Sequence, residues 1–262
     1  MEFQHIWAIA LRHIRLWMKD FNLILITLYW PLLDVLIWGF LGSWMQKAQQ
    51  TNADYSAIFL FCILLWQVNS RAAIVTVSSF LEEIWSFNLI NMFSMPLRIG
   101  EWICGVALFN FLLSIINALY CISLIVLFYK ISILLSLKIL IIFGPPLFIS
   151  GIWLGFTSLH VIAYFGKRAQ ELSWIIAWFF APLSGAFYPI DVFPSWIQKI
   201  SYLFPMTYIF EGLRNYLMHG INPTHHVIVA YALAIPYASI AIGIFVLIFN
   251  RTKVKGLVRL SD

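Results

Sequence analysis

The sequence predicts an all-α polytopic membrane protein: six transmembrane helices, an N-terminal amphipathic interfacial helix, and a re-entrant helical hairpin after the fifth span. Three observations carry this. The 262 residues are 62% hydrophobic and only 10% charged, too little polar surface for a water-soluble domain of this length. Apolar runs of roughly 20 residues, the length that crosses a hydrocarbon core, recur along the chain. One of them is broken by Pro182, Gly185, Pro189, Pro194 and Pro205 in quick succession.

The six runs cover 22–45, 57–80, 102–128, 138–162, 172–190 and 226–249. Loops this short leave no room for a separate soluble domain and no internal repeat is visible. Residues 1–262 therefore read as one transmembrane domain, with an amphipathic segment 1–20, a membrane region 21–250 and a basic tail 251–262. Six spans put both termini on one side. Arg12, Arg15, Lys19, Arg98, Lys167, Arg168, Arg251, Lys253, Lys255 and Arg259 fall there, ten cations against five (Lys47, Lys130, Lys138, Lys199, Arg214) opposite, with Arg71 inside a span. That bias marks cytoplasmic N- and C-termini. The net charge of +5 is spread over span ends instead of forming a patch, which argues against nucleic acid as a partner. Cys62, Cys104 and Cys121 sit in apolar spans without CxxC spacing and read as free thiols. The first apolar run is too long for a cleavable signal.

Phe3, Ile6, Trp7, Ala10, Ile14, Trp17 and Met18 recur at helical spacing, while Glu2, Gln4, His5, Arg12, His13, Arg15 and Lys19 mostly take the other face. The pattern fits a helix lying in the membrane interface, or one packed on the cytoplasmic end of the bundle. Asp34 and Arg71 are charges within spans one and two, where a lone charge costs about 2.5–3.5 kcal/mol. Similar depth on antiparallel helices predicts an Asp34–Arg71 pair, either as a clamp or as part of a polar stripe with Gln67, Asn69 and Ser70 along a translocation path. Gly151 and Gly155 form a G-x-x-x-G that permits close helix approach, a dimer contact being one use. His160 reads as a helix-end residue, and His225–His226 lacks a third ligand at metal spacing.

No G-x-x-x-x-G-K-[ST], H-E-x-x-H or G-x-S-x-G occurs, so the chain carries no nucleotide-binding or hydrolytic motif of its own. Paired intramembrane acids suited to a proton relay are missing too. Between spans two and three, Glu82, Glu83 and the apolar set Leu81, Ile84, Trp85, Leu89, Met92 and Phe93 predict a short amphipathic helix ended before Pro96. Adjacent carboxylates suit a protein partner better than an anionic leaflet.

These features resemble the membrane subunit of ABC-2 type transporters along essentially the whole chain. The likeness is most specific in "LSGAFYPIDVFPSWIQKISYLFPMTYIFEGLRNYL", where Ser184, Gly185, Tyr188, Pro189, Pro194, Trp196, Pro205, Thr207, Glu211 and Arg214 match the family signature. Phe204 stands where the family often has Asn, and "WSFN" where it commonly has Gly-Thr. The resemblance implies a permease subunit of an ATP-driven exporter in the bacterial inner membrane, working as a homodimer. Each copy would couple through the helix at about 81–97 (Glu82, Glu83, Trp85, Leu89, Pro96) to a separate ATP-binding subunit. ATP and magnesium would belong to that subunit and no cofactor to this chain. Lipid-linked compounds, polysaccharides and amphipathic drugs are the candidate substrates. An ion-coupled secondary transporter or channel, drawing on the Asp34–Arg71 region, is the alternative.

The prolines then acquire a reading. Pro189 ends the fifth span, Pro194 starts a short amphipathic helix with Trp196, Ile197, Ile200, Leu203 and Phe204 on one side, and Pro205 closes the hairpin. Glu211 and Arg214, one turn apart beyond it, are placed to pair at i,i+3. Together these residues are the candidate extracellular gate.

Overall fold

The computed structural model describes residues 2–49, 55–166 and 170–255, and all regular structure among them is helical. The order is α1 (Phe3–Lys19), α2 (Phe21–Gln49), α3 (Tyr55–Trp85), α4 (Leu89–Ser94), α5 (Ile99–Tyr129), α6 (Ile133–Phe165) and α7 (Gln170–Leu183). A 3₁₀ turn (Ile190–Val192), α8 (Ser195–Ser201), α9 (Pro205–His219) and α10 (Thr224–Lys255) follow. Lys167, Arg168 and Arg259, placed above on the inner side, lie outside the described residues.

Among the described residues, five helices, α2, α3, α5, α6 and α10, are long and apolar enough to cross a membrane. The run at 172–190 is shorter than expected. Its helix α7 stops at Leu183 after 14 residues, about 21 Å of rise against the ~30 Å of a hydrocarbon core. The basic tail also begins later than expected, because α10 continues through Arg251 to Lys255.

α3 is the central helix. It touches α2, α5, α6, α7 and α9, and apolar residues are buried all round it. Its closest neighbour is α6, and the G-x-x-x-G explains why. A Cβ on Gly151 would lie 2.3 Å from the Asn69 carbonyl oxygen and 2.5 Å from Ala72 Cβ, and one on Gly155 would lie 2.7 Å from Thr76 Cβ. The glycine stripe is thus filled by α3 of the same chain, so a dimer contact at this stripe is corrected to an internal seam. At the same two α3 residues, Asn110 of α5 donates its amide to the Ala72 carbonyl at 2.7 Å and to Thr76 Oγ1 at 3.0 Å.

α1 lies against α5, where Ile9 occupies the space a side chain on Gly105 would need. Ile9, Ala10 and His13 are buried there, while Phe3 and Met18 on the same helix stay exposed. The helix therefore packs on the bundle and still presents apolar residues outward. Asp20 then starts α2 by accepting the Asn22 and Leu23 N–H groups at 2.9 and 3.3 Å.

The two ends of the bundle are distinct. α1, the end of α3, α4, the start of α5 and the ends of α6 and α10 share one end, called the collar here. Thr252 Oγ1 there donates to the Ala163 carbonyl, and Lys253 sits 5.6 Å over the Phe93 ring. Phe80, Phe93, Trp102, Phe245 and Phe249 form its aromatic core. At the far end, Tyr129 closes on Gly39, and Lys138 donates to the Tyr216 hydroxyl at 2.8 Å.

Candidate functional site

At the collar, the expected single helix over 81–97 is two pieces. Leu81 to Trp85 are the last turns of α3, a tight turn through Phe87 follows (φ 53°), and Leu89 opens the six-residue α4. Phe87 holds a left-handed conformation that a bulky side chain rarely adopts. Pro96 follows α4 in the loop to α5.

The acids are not the outward-facing pair that the sequence suggested. Glu83 is 0% exposed; it accepts from Arg12 Nη1 of α1 and, at 2.9 Å, from Asn88 Nδ2 of the turn. Glu82, partly exposed, lies 3.5 Å from His13 Nδ1. Partial burial pulls the Arg12 pKa below the ordinary arginine value, and the neighbouring Glu82 carboxylate pushes it back up. What faces outward is apolar instead, with Trp85 53% and Phe87 67% exposed and Ile90 and Met95 beside them in the sequence. A second buried acid holds the start of α1. Glu101 accepts the Glu2 and Arg98 N–H groups at 2.9 and 3.0 Å and lies 3.2 Å from His5 Nδ1.

Glu83→Gln keeps the shape and removes the charge on which Arg12 closes. It is expected to lower stability in mild detergent by about 2 kcal/mol, the worth of a hydrogen bond to a charged group, with earlier proteolysis between α1 and α2. Unchanged melting and proteolysis would show that α1 is held by its apolar face alone.

Within the membrane-depth helices, Asp34 and Arg71 do not form a direct ion pair. Gln67 Nε2 donates to Asp34 Oδ2 at 2.5 Å, and Arg71 Nη2 donates to the Thr27 carbonyl at 3.2 Å. The reason is Pro31. Lacking an N–H, it leaves the carbonyl four residues earlier without a helical donor, and that carbonyl is Thr27. Arg71, one turn beyond Gln67 on the same face of α3, supplies the missing donor. The polar stripe is likewise split between faces. Gln67 and Arg71 meet α2, whereas the backbone of Asn69 abuts Gly151 of α6.

The hairpin residues converge most fully. Gly185, with φ 74°, turns the chain after α7, and Ile190 fills the space beside it. Arg214 of α9 is 8% exposed; Nη1 donates to Glu211 Oε1 at 2.9 Å, and Nη2 donates to the Gly185 carbonyl and, at 3.4 Å, to that of Ala186. The same Glu211 oxygen accepts the Ile190 N–H at 3.2 Å. Ser184 is buried and donates back to the Ala181 carbonyl, while Tyr188 stacks edge-on against Phe193. Pro189 precedes the 3₁₀ turn, and Pro194 is the residue before α8, one position earlier than expected. Pro205 is the first residue of α9, and Thr207 Oγ1 donates to the Ser201 carbonyl at 2.7 Å, tying α9 to α8.

α8 inverts the orientation of a helix on a water-soluble protein. Trp196 is 64% exposed and Ile200 and Leu203 also face out, while Ser201 is buried and Gln198 donates to the Phe193 carbonyl. Phe204 packs on Phe180 of α7 and on Trp153, twenty residues along α6. Tyr237 of α10 donates its hydroxyl to the Leu203 carbonyl at 3.2 Å.

Three features escaped the sequence reading. Glu83 shares the buried stripe of Thr76, Phe80 and Ile84, a phase that was there to be counted. The Pro31–Thr27 offset was equally visible. Glu101 sits three residues after Arg98, at capping-box spacing, but its partners Glu2 and His5 are nearly a hundred residues away.

No protein-family model matches the sequence, and no curated protein matches it.

Proposed function

We propose that the chain is the transmembrane permease subunit of an ATP-driven exporter of the ABC-2 type, with a separate ATP-binding subunit docked at the collar. The observation that carries this reading is the latch in which Arg214, paired with Glu211 one turn away, also closes on the Gly185 carbonyl 29 residues earlier, all three being signature positions.

The path of the chain supports six crossings. α6 ends at the collar, where Ala163 meets Thr252, and α10 begins at the far end, where His226 packs on Gly212. Residues between them must therefore return from one end to the other, and α7 with its continuation to Ile190 makes that crossing. α8 and the start of α9 form the re-entrant hairpin. Its tip at Phe204 reaches Trp153 midway along α6, and its apolar residues face lipid. Irregular backbone at such depth is stable only with its polar groups bonded internally, which is what Arg214, Glu211 and Thr207 do.

At the collar the partner surface is the apolar knob of Trp85, Phe87 and Ile90, with Glu82 beside it. Buried Glu83 links that knob to α1, so force on the turn reaches the first helix and, through it, the bundle. Asp34 and Arg71, on which an ion-coupled carrier would draw, are both engaged in holding α2 to α3.

Tagged protein purified from its own membranes in mild detergent is expected to retain a subunit with Walker-motif peptides in mass spectrometry and with ATP hydrolysis. Trp85→Asp combined with Phe87→Asp should release it while the permease stays folded. Substrate movement driven by a proton gradient without ATP, or full retention of the ATPase by the doubly substituted knob, overturns the reading.

A further inference from the structure

We propose that the collar cleft between α1, the α4–α5 loop and the end of α10 binds the phosphate of a membrane lipid headgroup through Arg98 and Lys253. The cleft measures about 600 Å³, and its lining includes Glu2, His5, Leu97, Arg98, Glu101 and Lys253. Its two cations are exposed, and neither forms an ion pair with a carboxylate among the described residues. Lys253 is oriented by its position over the Phe93 ring.

The two acids in the lining, Glu2 and Glu101, are engaged elsewhere and lie beyond ion-pair distance of the Arg98 and Lys253 side chains. Glu101 already takes the N–H groups of Glu2 and Arg98 and the His5 ring. Glu2 pairs with His5 at 3.4 Å. Two cations with no carboxylate at ion-pair distance, lining one concave space, leave their donors for an anion that meets both, and a phosphate diester has the charge and the acceptor oxygens to do so.

Depth selects a lipid over a soluble phosphate. Arg98 immediately precedes the apolar span Ile99–Tyr129, and Lys253 lies in the last turn of α10, four residues beyond Phe249, where its apolar run ends. Both cations therefore sit where apolar helix gives way to headgroups, the level to which long basic side chains extend. Met95 and Leu97 give the cleft an apolar wall for the first carbons of the acyl chains. The knob residues Trp85, Phe87 and Ile90 are not in this lining, so the lipid site stands apart from the partner surface.

The test titrates the purified chain in mild detergent with dioctanoyl phosphatidylglycerol and follows complexes by native mass spectrometry. Saturable binding of one lipid per chain is expected. Arg98→Gln with Lys253→Gln should weaken it about 30-fold, and each single substitution about 5-fold. Arg98→Lys should retain it. The single variants carry the test if the double variant does not fold. A glucosyl diacylglycerol with the same chains should not compete. Absence of saturable binding, or equal affinity in the glutamine variants, overturns the site. Displacement by glycerol 3-phosphate at the lipid's own concentration overturns the lipid assignment in favour of a soluble phosphate.

Discussion

Arg214→Met is expected to destabilise the protein by about 3–5 kcal/mol, the cost of breaking a buried ion pair by removing one partner. Three groups lose their partner at once: the Glu211 carboxylate and the Gly185 and Ala186 carbonyls, while the Glu211 oxygen that also accepts the Ile190 N–H is left without its counter-charge. The carbonyls follow the last turn of α7, where no helical N–H is available, and Gly185 and Ala186 are both buried. Arg214→Lys should recover only part of the loss, because a point ammonium cannot span a carboxylate and a carbonyl as the guanidinium fork does. Thermal melts in mild detergent measure the loss, and limited proteolysis locates it between residues 184 and 204. Pairing the change with Glu211→Gln should cost less than the sum of the two, because the carboxylate no longer needs a counter-charge. A melt within about 1 kcal/mol of wild type, the worth of an exposed pair, would mean that the hairpin is held by Ile190 and Phe204 and not by its charges.

How much of this was legible beforehand follows the range of the interactions. Five of the six apolar runs coincide with long helices, because hydropathy over a span is a local property. The Glu211–Arg214 pair was legible for the same reason, being one turn apart. The run at 172–190 misled because composition counts apolar residues, whereas helix length is set by where the backbone turns, here at Gly185. Glu82 and Glu83 misled more instructively. Adjacent residues on a helix point about 100° apart, so two neighbouring acids do not share an environment. One meets solvent and His13; the other is buried against Arg12 from a helix seventy residues earlier. Asp34 and Arg71 were placed on the right helices but assigned to each other. Pro31 leaves the Thr27 carbonyl without a helical donor, Arg71 supplies that donor, and Gln67 bonds Asp34 in its place.

Gly151→Ala is expected to cost about 3 kcal/mol, the upper end for overpacking by one methyl group. Its new Cβ would lie 2.3 Å from the Asn69 carbonyl oxygen, a backbone atom of the most buried helix, and 2.5 Å from Ala72 Cβ. Neither atom is the end of a flexible side chain, so α6 itself must move away from α3. That motion would open contacts along the same seam, where Gly155 faces Thr76 and Ala73. Membrane helices have little hydrophobic drive toward one another in lipid, so close packing between small residues supplies much of their association, and its loss is felt directly. Gly243→Ala provides the internal comparison. A Cβ there meets nothing within 4 Å, so the same chemical change on α10 should be neutral or stabilise by up to about 1 kcal/mol through helix propensity. Ala72→Gly in the Gly151→Ala background relieves one of the two closest contacts and should restore part of the loss, because the Asn69 carbonyl still obstructs. Melts of the two alanine variants side by side decide the matter. If Gly151→Ala unfolds with Gly243→Ala and not well below it, the α3–α6 seam is looser than its glycines require.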